Sequence, residues 1–209
     1  MKKGIIVNLD LCVGCQACYV VCKQENLVAP SIQWLQIQRE EDPQQRIISY
    51  FRMGCMHCDD PACLPVCPVK AISKGESGEV LVDSNRCIAC GQCLKACPWD
   101  VPLFNLSGKT SYFDRPALFE PTLQPHQQRK VGRAEHCTLC NHRSIPACVE
   151  ACHLGALKLV DYDHLSTEEE ALVKASVAMN GLEKTHPKVR YVSHNEDVKG
   201  FTHRVKHLS

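Results

Sequence analysis

The sequence predicts an α+β fold: two nested units built from repeats of strand, cysteine loop, short helix and strand, with extended connecting loops and a C-terminal helix and tail. Three observations lead there. Sixteen of the 209 residues are cysteine, and they fall into four groups of four. Short β-branched runs enter or leave the groups. The two middle groups lie close together, while the outer two flank them at a distance.

The first group is Cys12, Cys15, Cys18 and Cys22, spaced C-x2-C-x2-C-x3-C, and the third, Cys87, Cys90, Cys93 and Cys97, repeats that spacing and ends in Pro98. The second, Cys55, Cys58, Cys63 and Cys67, is C-x2-C-x4-C-x3-C followed by Pro68. The fourth, Cys137, Cys140, Cys148 and Cys152, widens the middle gap to seven residues. The run C-x2-C-x2-C-x3-C-P is the ligand pattern of bacterial ferredoxins. Three thiolates two residues apart wrap three corners of a cubane, with backbone N–H groups turned toward the sulfurs. The fourth starts a helix turned away from that cube and serves the other cluster of the pair. The proline after it sets φ and gives up an N–H that a first helical turn leaves unpaired anyway.

Two other chemistries compete for this many thiols. A disulfide framework goes with secretion, yet the apolar run Ile5-Ile6-Val7 is far too short for a signal peptide. Zinc joins two separate C-x2-C pairs into a tetrahedral site, which does not suit a triple plus a single closed by Cys-Pro. Every group holds four cysteines, so sixteen thiolates supply four [4Fe–4S] clusters with none left over.

Gly4–Asp10 leads into group one and Gly78–Asp83 into group three as short strands; Val69–Ile72 and Gly155–Val160 are the return strands after groups two and four. Groups two and three make one two-cluster unit over residues 50–104, inserted into an outer two-cluster unit formed by 1–30 plus 134–160. Residues 31–49 and 105–133 are connectors, the second proline-rich through Pro116, Pro121 and Pro125, either a solvated loop or a strap against a partner. Over 161–209, Ser166 or Thr167 with Glu169 and Glu170 starts a helix ending near Gly181, and 183–209 is a polar tail with little core to join, suited to docking on another subunit.

A formal charge of +1, from 24 basic and 23 acidic residues, gives no broad field for nucleic acid. No stretch approaches the ~18 uninterrupted apolar residues of a membrane helix, so membrane association has to come through partners, on the cytoplasmic or the periplasmic face. There is no GxGxxG, no P-loop and no H-E-x-x-H. The reading is a chain without a catalytic centre of its own that moves electrons for another subunit.

The stretches Cys55-Met56-His57-Cys58-Asp59-Asp60-Pro61-Ala62-Cys63-Leu64-Pro65-Val66-Cys67-Pro68, Cys87 to Pro98 and Pro146-Ala147-Cys148-Val149-Glu150-Ala151-Cys152 resemble the iron–sulfur subunit of dimethyl sulfoxide reductase-type complexes, over roughly residues 4–160. The resemblance implies crossed ligation. Cys12, Cys15, Cys18 and Cys152 would hold the cluster nearest a large molybdenum- or tungsten-bis-pterin catalytic subunit. Cys22, Cys137, Cys140 and Cys148 would hold the next, and Cys55, Cys58, Cys63 and Cys97 the third. Cys67, Cys87, Cys90 and Cys93 would hold the last, nearest a membrane anchor and the quinone pool. In this chain His153 stands where the family usually has proline. A relay beside a hydrogenase, formate–hydrogen lyase or carbon monoxide dehydrogenase is the rival redox reading, and a zinc scaffold the non-redox one.

Other residues near the groups have plainer roles. His57, His136, His142 and His153 read as loop packing rather than ligands. Lys23, Lys70, Arg86, Lys95 and Arg143 either raise cluster potentials or are solvated charge. Trp34 and Trp99 serve the core or meet a partner.

Overall fold

The computed structural model describes residues 2–105, 124–128, 130–179 and 183–203. The apolar run near the N-terminus forms β1 (Lys3–Asn8), with α1 (Ala17–Asn26) next. Then come a hairpin of β2 (Leu35–Asp42) and β3 (Ile47–Gly54), the short pair β4 (Ile72–Lys74) and β5 (Val80–Val82), and α2 (Gln92–Ala96). A second short pair is β6 (Leu103–Phe104) and β7 (Ala134–Glu135), followed by α3 (Ala147–Glu150) and β8 (Leu157–Asp161). The chain continues through α4 (Thr167–Ala175), β9 (Val189–Val192) and α5 (Glu196–Gly200). The mixture of helix and strand agrees with the expected class.

β1 is the middle strand of a three-stranded sheet, antiparallel to β8 and parallel to β9. Its near-continuous apolar sequence reflects burial on both faces. Ile5 and Val7 enter the main core, while Ile6 packs with Val160, Val192 and the α4 residues Leu172 and Val173. The strand entering group one thus pairs with the strand leaving group four, and β4 after group two pairs with β5 before group three.

The expected connector 31–49 is no loop. Leu35–Asp42 and Ile47–Gly54 pair residue for residue as the longest hairpin described, turned at Asp42, whose carboxylate accepts from the Gln44 and Gln45 N–H groups. The alternation Leu35-Gln36-Ile37-Gln38 carries the signal that a composition-based reading passes over. Of connector 105–133, Pro125–Gln127 forms a 3-10 turn laid on the end of α1, where the Gln127 amide donates to the Glu25 carbonyl at 3.0 Å; Pro116 and Pro121 lie outside the described residues.

Two expectations at the C-terminus change. The helix starts as expected, with Ser166 and Glu169 forming a reciprocal capping box. It ends at Ala175, because Arg190 donates to the Ser176 carbonyl and hydroxyl and Val177 bridges to Tyr191; Gly181 lies outside the described residues. The segment expected to find little core does find one. Tyr191 of β9 is fully buried, packs its ring 5.9 Å from that of Phe51 and donates to the Arg52 carbonyl at 2.6 Å. Just before it, Lys188 and Val189 donate to the Met56 carbonyl, and Asp59 and Asp60 donate back to His186 and Thr185. The C-terminal strand therefore ties the group-two loop to the β1 sheet.

Candidate iron–sulfur sites

The same loop is made four times. In the first C-x2-C of each group the residue before the second cysteine adopts positive φ: Gly14 (69°), His57 (44°), Ala89 (59°) and Leu139 (55°). That left-handed residue turns its N–H onto the first sulfur, with His57 N to Cys55 Sγ 3.5 Å, Ala89 N to Cys87 Sγ 3.4 Å and Leu139 N to Cys137 Sγ 3.3 Å. Gly14 N–H does the same for Cys12. Three non-glycine residues accept backbone strain here, which folding sustains only where something is gained. The gain is an N–H donor directed at a thiolate.

A second repeat follows the last cysteine of three groups. The N–H three residues on closes a turn onto the cysteine carbonyl: Lys70 to Cys67 at 3.1 Å, Asp100 to Cys97 at 3.3 Å and Gly155 to Cys152 at 2.9 Å. Each closing residue has positive φ. His153 replaces proline in the third turn without changing it, because Gly155 supplies the left-handed position. Group one departs: there α1 runs past Cys22 to Asn26.

All sixteen cysteines are free thiols, and the fold gathers them across the groups. Cys12, Cys15, Cys18 and Cys152 line one cavity, and Cys22, Cys137, Cys140 and Cys148 a second. Cys58 and Cys63, with Cys55 beside them, lie close to Cys97: burial raises the thiols of Cys58 and Cys63, and the Cys97 sulfur adds to it. Cys67, Cys87, Cys90 and Cys93 line another cavity, walled by Ile72, Val82 and Phe104. Neighbouring sets touch electrostatically in succession: Cys18 acts on Cys148, Cys137 on Cys55 and Cys93 on Cys63. The first and last sets in that succession hold the exposed cysteines, Cys15 and Cys90.

The donor chemistry fits a cationic cluster core. Burial pushes the thiols of Cys18, Cys58 and Cys93 up to about 11, and those of Cys63 and Cys148 to about 12. Cys22 and Cys55 are driven up in the same direction by burial and by neighbouring sulfurs. Four such groups ionise together only around positive charge, which metal supplies.

The flanking residues sort cleanly. His57 is fully buried and held neutral by desolvation, its Nδ1 accepting from Val80 N–H at 3.1 Å. His136 is also kept neutral by burial and donates to the Cys137 carbonyl at 2.7 Å. His142 binds Glu25 at 2.8 Å and stacks at 3.5 Å on His126, and His153 is exposed. Lys23 is engaged by the Ala29 carbonyl at 2.8 Å, and Arg143 by Glu25 at 2.8 Å and by Glu150. Arg86 donates to the Val69 carbonyl at 3.0 Å, while Lys70 and Lys95 are exposed. Trp34 and Trp99 are core residues, Trp34 donating to Glu135 at 3.1 Å.

Among the described residues, the cation that donates to one of the grouped sulfurs is Arg52, which sequence reasoning missed. It is 0% exposed and donates from Nη2 to Cys137 Sγ at 3.8 Å. Burial opposes its charge, but Cys137, Cys148 and Cys18 more than offset that and hold it above its usual range. A visible signal exists: Tyr50-Phe51-Arg52-Met53 puts an arginine inside an apolar strand running straight into Cys55.

Comparison with known proteins settles the chemistry. Two family models, both described as 4Fe-4S dicluster domains, match residues 47–112 and 11–71. They overlap at 47–71 because each reads cysteine groups consecutive in the chain. The iron–sulfur cluster-binding subunit of menaquinone reductase from Nitratidesulfovibrio vulgaris is 31% identical, covering 95% of this chain and 91% of its own. The arsenate respiratory reductase iron–sulfur subunit of a Shewanella species is 30% identical over 92% and 96%. A tetrathionate reductase subunit of Salmonella typhimurium is 35% identical over 74% of this chain and 56% of its own length. Among solved structures, the active-site complex BamBC of benzoyl coenzyme A reductase covers 82% of the chain at 18% identity, but a TM-score of 0.31 gives it no weight. No helix among the described residues is long and apolar enough to cross a membrane. With two dicluster domains and sixteen cysteines, the chain carries four [4Fe–4S] clusters and belongs to the family of iron–sulfur, electron-transfer subunits of dimethyl sulfoxide reductase-type molybdopterin oxidoreductases.

Proposed function

We propose that this chain relays electrons along a row of four clusters between a large molybdenum- or tungsten-pterin subunit at one end and a membrane-anchor subunit or other quinone-linked outlet at the other. The ligand sets are Cys12, Cys15, Cys18 and Cys152; Cys22, Cys137, Cys140 and Cys148; Cys55, Cys58, Cys63 and Cys97; and Cys67, Cys87, Cys90 and Cys93. In this reading residues 50–104 form a two-cluster unit nested inside an outer one made by 1–30 and 134–160, and the pairings β1 with β8 and β4 with β5 support it.

One observation carries the proposal. The exposed cysteines, Cys15 and Cys90, belong to the two end sets, and exposed apolar side chains line the same cavities: Leu11, Val13 and Leu154 with Cys15, and Ile88 with Cys90. Bare apolar rims beside redox centres suit subunit docking, where water is excluded along the electron path. Each cluster supplies a one-electron site, and the protein holds the sites in succession and wraps the inner two.

Purifying the native complex anaerobically tests this. The expected outcome is about sixteen irons per chain, four reducible paramagnetic centres, and a co-purifying large subunit containing pterin. A colourless, iron-free chain or a partner holding nickel instead of pterin overturns it.

A further inference from the structure

We propose that Arg52 is a positioning residue that sets the reduction potentials of the first two clusters of the row together, as one fixed positive charge placed between them. The inference rests on the ligand sets proposed above. Arg52 lines both the cavity of Cys12, Cys15, Cys18 and Cys152 and that of Cys22, Cys137, Cys140 and Cys148. Its charge acts on Cys18 in the first and on Cys137 and Cys148 in the second.

The surroundings leave the guanidinium no other counter-charge. Among the described residues no carboxylate pairs with it, and Nε and Nη1, both fully buried, have no hydrogen-bond partner. An arginine does not shed its proton in a protein, and an isolated buried charge is expensive. The charge is tolerable only because two thiolate-ligated, net-negative clusters flank it. Through the same interaction it favours the reduced, more negative state of each.

The backbone that carries the guanidinium is held in place by the C-terminal strand: Tyr191 of β9 donates to the Arg52 carbonyl at 2.6 Å. The C-terminal strand therefore positions a charge belonging to the hairpin.

The test is potentiometric paramagnetic-resonance titration of the complex carrying Arg52→Gln, Arg52→Lys or, as a control for remote surface charge, Arg39→Gln. Arg52→Gln should lower the midpoints of the first two clusters, with at least a tenfold loss of the reduced fraction at fixed potential (about 59 mV), and leave the other two unmoved. Arg52→Lys should recover most of the shift, and Arg39→Gln should change nothing. Unmoved midpoints in a fully loaded Arg52→Gln complex overturn the inference. If Arg52→Gln loses iron, Arg52→Lys decides: full iron with near-native midpoints supports a charge role, and loss of iron there too overturns it. Failure of the relay reading is distinguishable, because it shows in the unsubstituted complex, as missing clusters or a partner without pterin.

Discussion

The first two cavities in the row are built from the same thiol chemistry but closed in opposite ways. The first keeps Cys15 exposed, with Leu11, Val13 and Leu154 bare around it. The second buries all four of its cysteines and brings polar donors instead: Asn26 Nδ2 at 3.9 Å from Cys22 Sγ and 3.8 Å from Cys140 Sγ, and Arg52 at 3.8 Å from Cys137 Sγ. A site that exchanges electrons with a partner needs a thin, apolar, exposed wall. A site that only passes them on within the chain can be fully enclosed, and there the protein's own dipoles and charges tune it. The two end sites differ in turn in how tightly their loops are held. Gly14, in the first site, is hemmed in by the Tyr50 ring, whereas Gly91, in the exposed fourth, has open space where a Cβ would go.

The largest test of this contrast is Cys22→Ser. In the crossed arrangement it removes the cluster of the enclosed cavity, about four of about sixteen irons, while the resonance of the cluster at Cys12, Cys15 and Cys18 persists. Loss of that cluster instead would break the division between the two sites. Next is Gly14→Ala, where a positive φ and a Cβ 2.4 Å from the Tyr50 ring add to about 2–4 kcal/mol. Gly91→Ala meets strain alone, about 1 kcal/mol. Denaturant unfolding with cluster absorbance as the readout should rank them in that order, and equal effects would show that Tyr50 does not confine the first loop. Tyr191→Phe, which leaves the Arg52 carbonyl without its donor, should cost about 1–2 kcal/mol by the same measurement. The smallest effect concerns Asp59, which binds Lys188 and lies 3.2 Å from Lys74. Burial works to raise its carboxyl, but the lysines hold it below the usual 3.8. A depressed acid stabilises above that value and loses the contribution as pH falls through and below it. Stability should therefore drop by up to about 1 kcal/mol on acidification below about pH 4, and Asp59→Asn should flatten the dependence.

The cysteine triplets were legible because their spacing is a local code: a C-x2-C loop fits a sulfur cage using residues that touch in sequence. The strands entering groups one and three, and the capping box at Ser166, were legible for the same reason, being set by neighbours within a few residues. The hairpin over Leu35–Gly54 was present as alternation but obscured by its polar residues. Even the missing proline at His153 was neutral, since the turn depends on Gly155 accepting positive φ.

By itself, then, the sequence determined that four groups of thiols form four clusters. Which cysteines come to line a common cavity, how Val189–Val192 slots beside β1, and why Arg52 lines two cavities were decided only by the tertiary structure. Those features depend on residues brought together across more than a hundred positions, as when Cys152 meets Cys12 and Tyr191 meets Arg52. Such contacts leave no trace in local spacing, because they exist only once the hydrophobic core has closed around them.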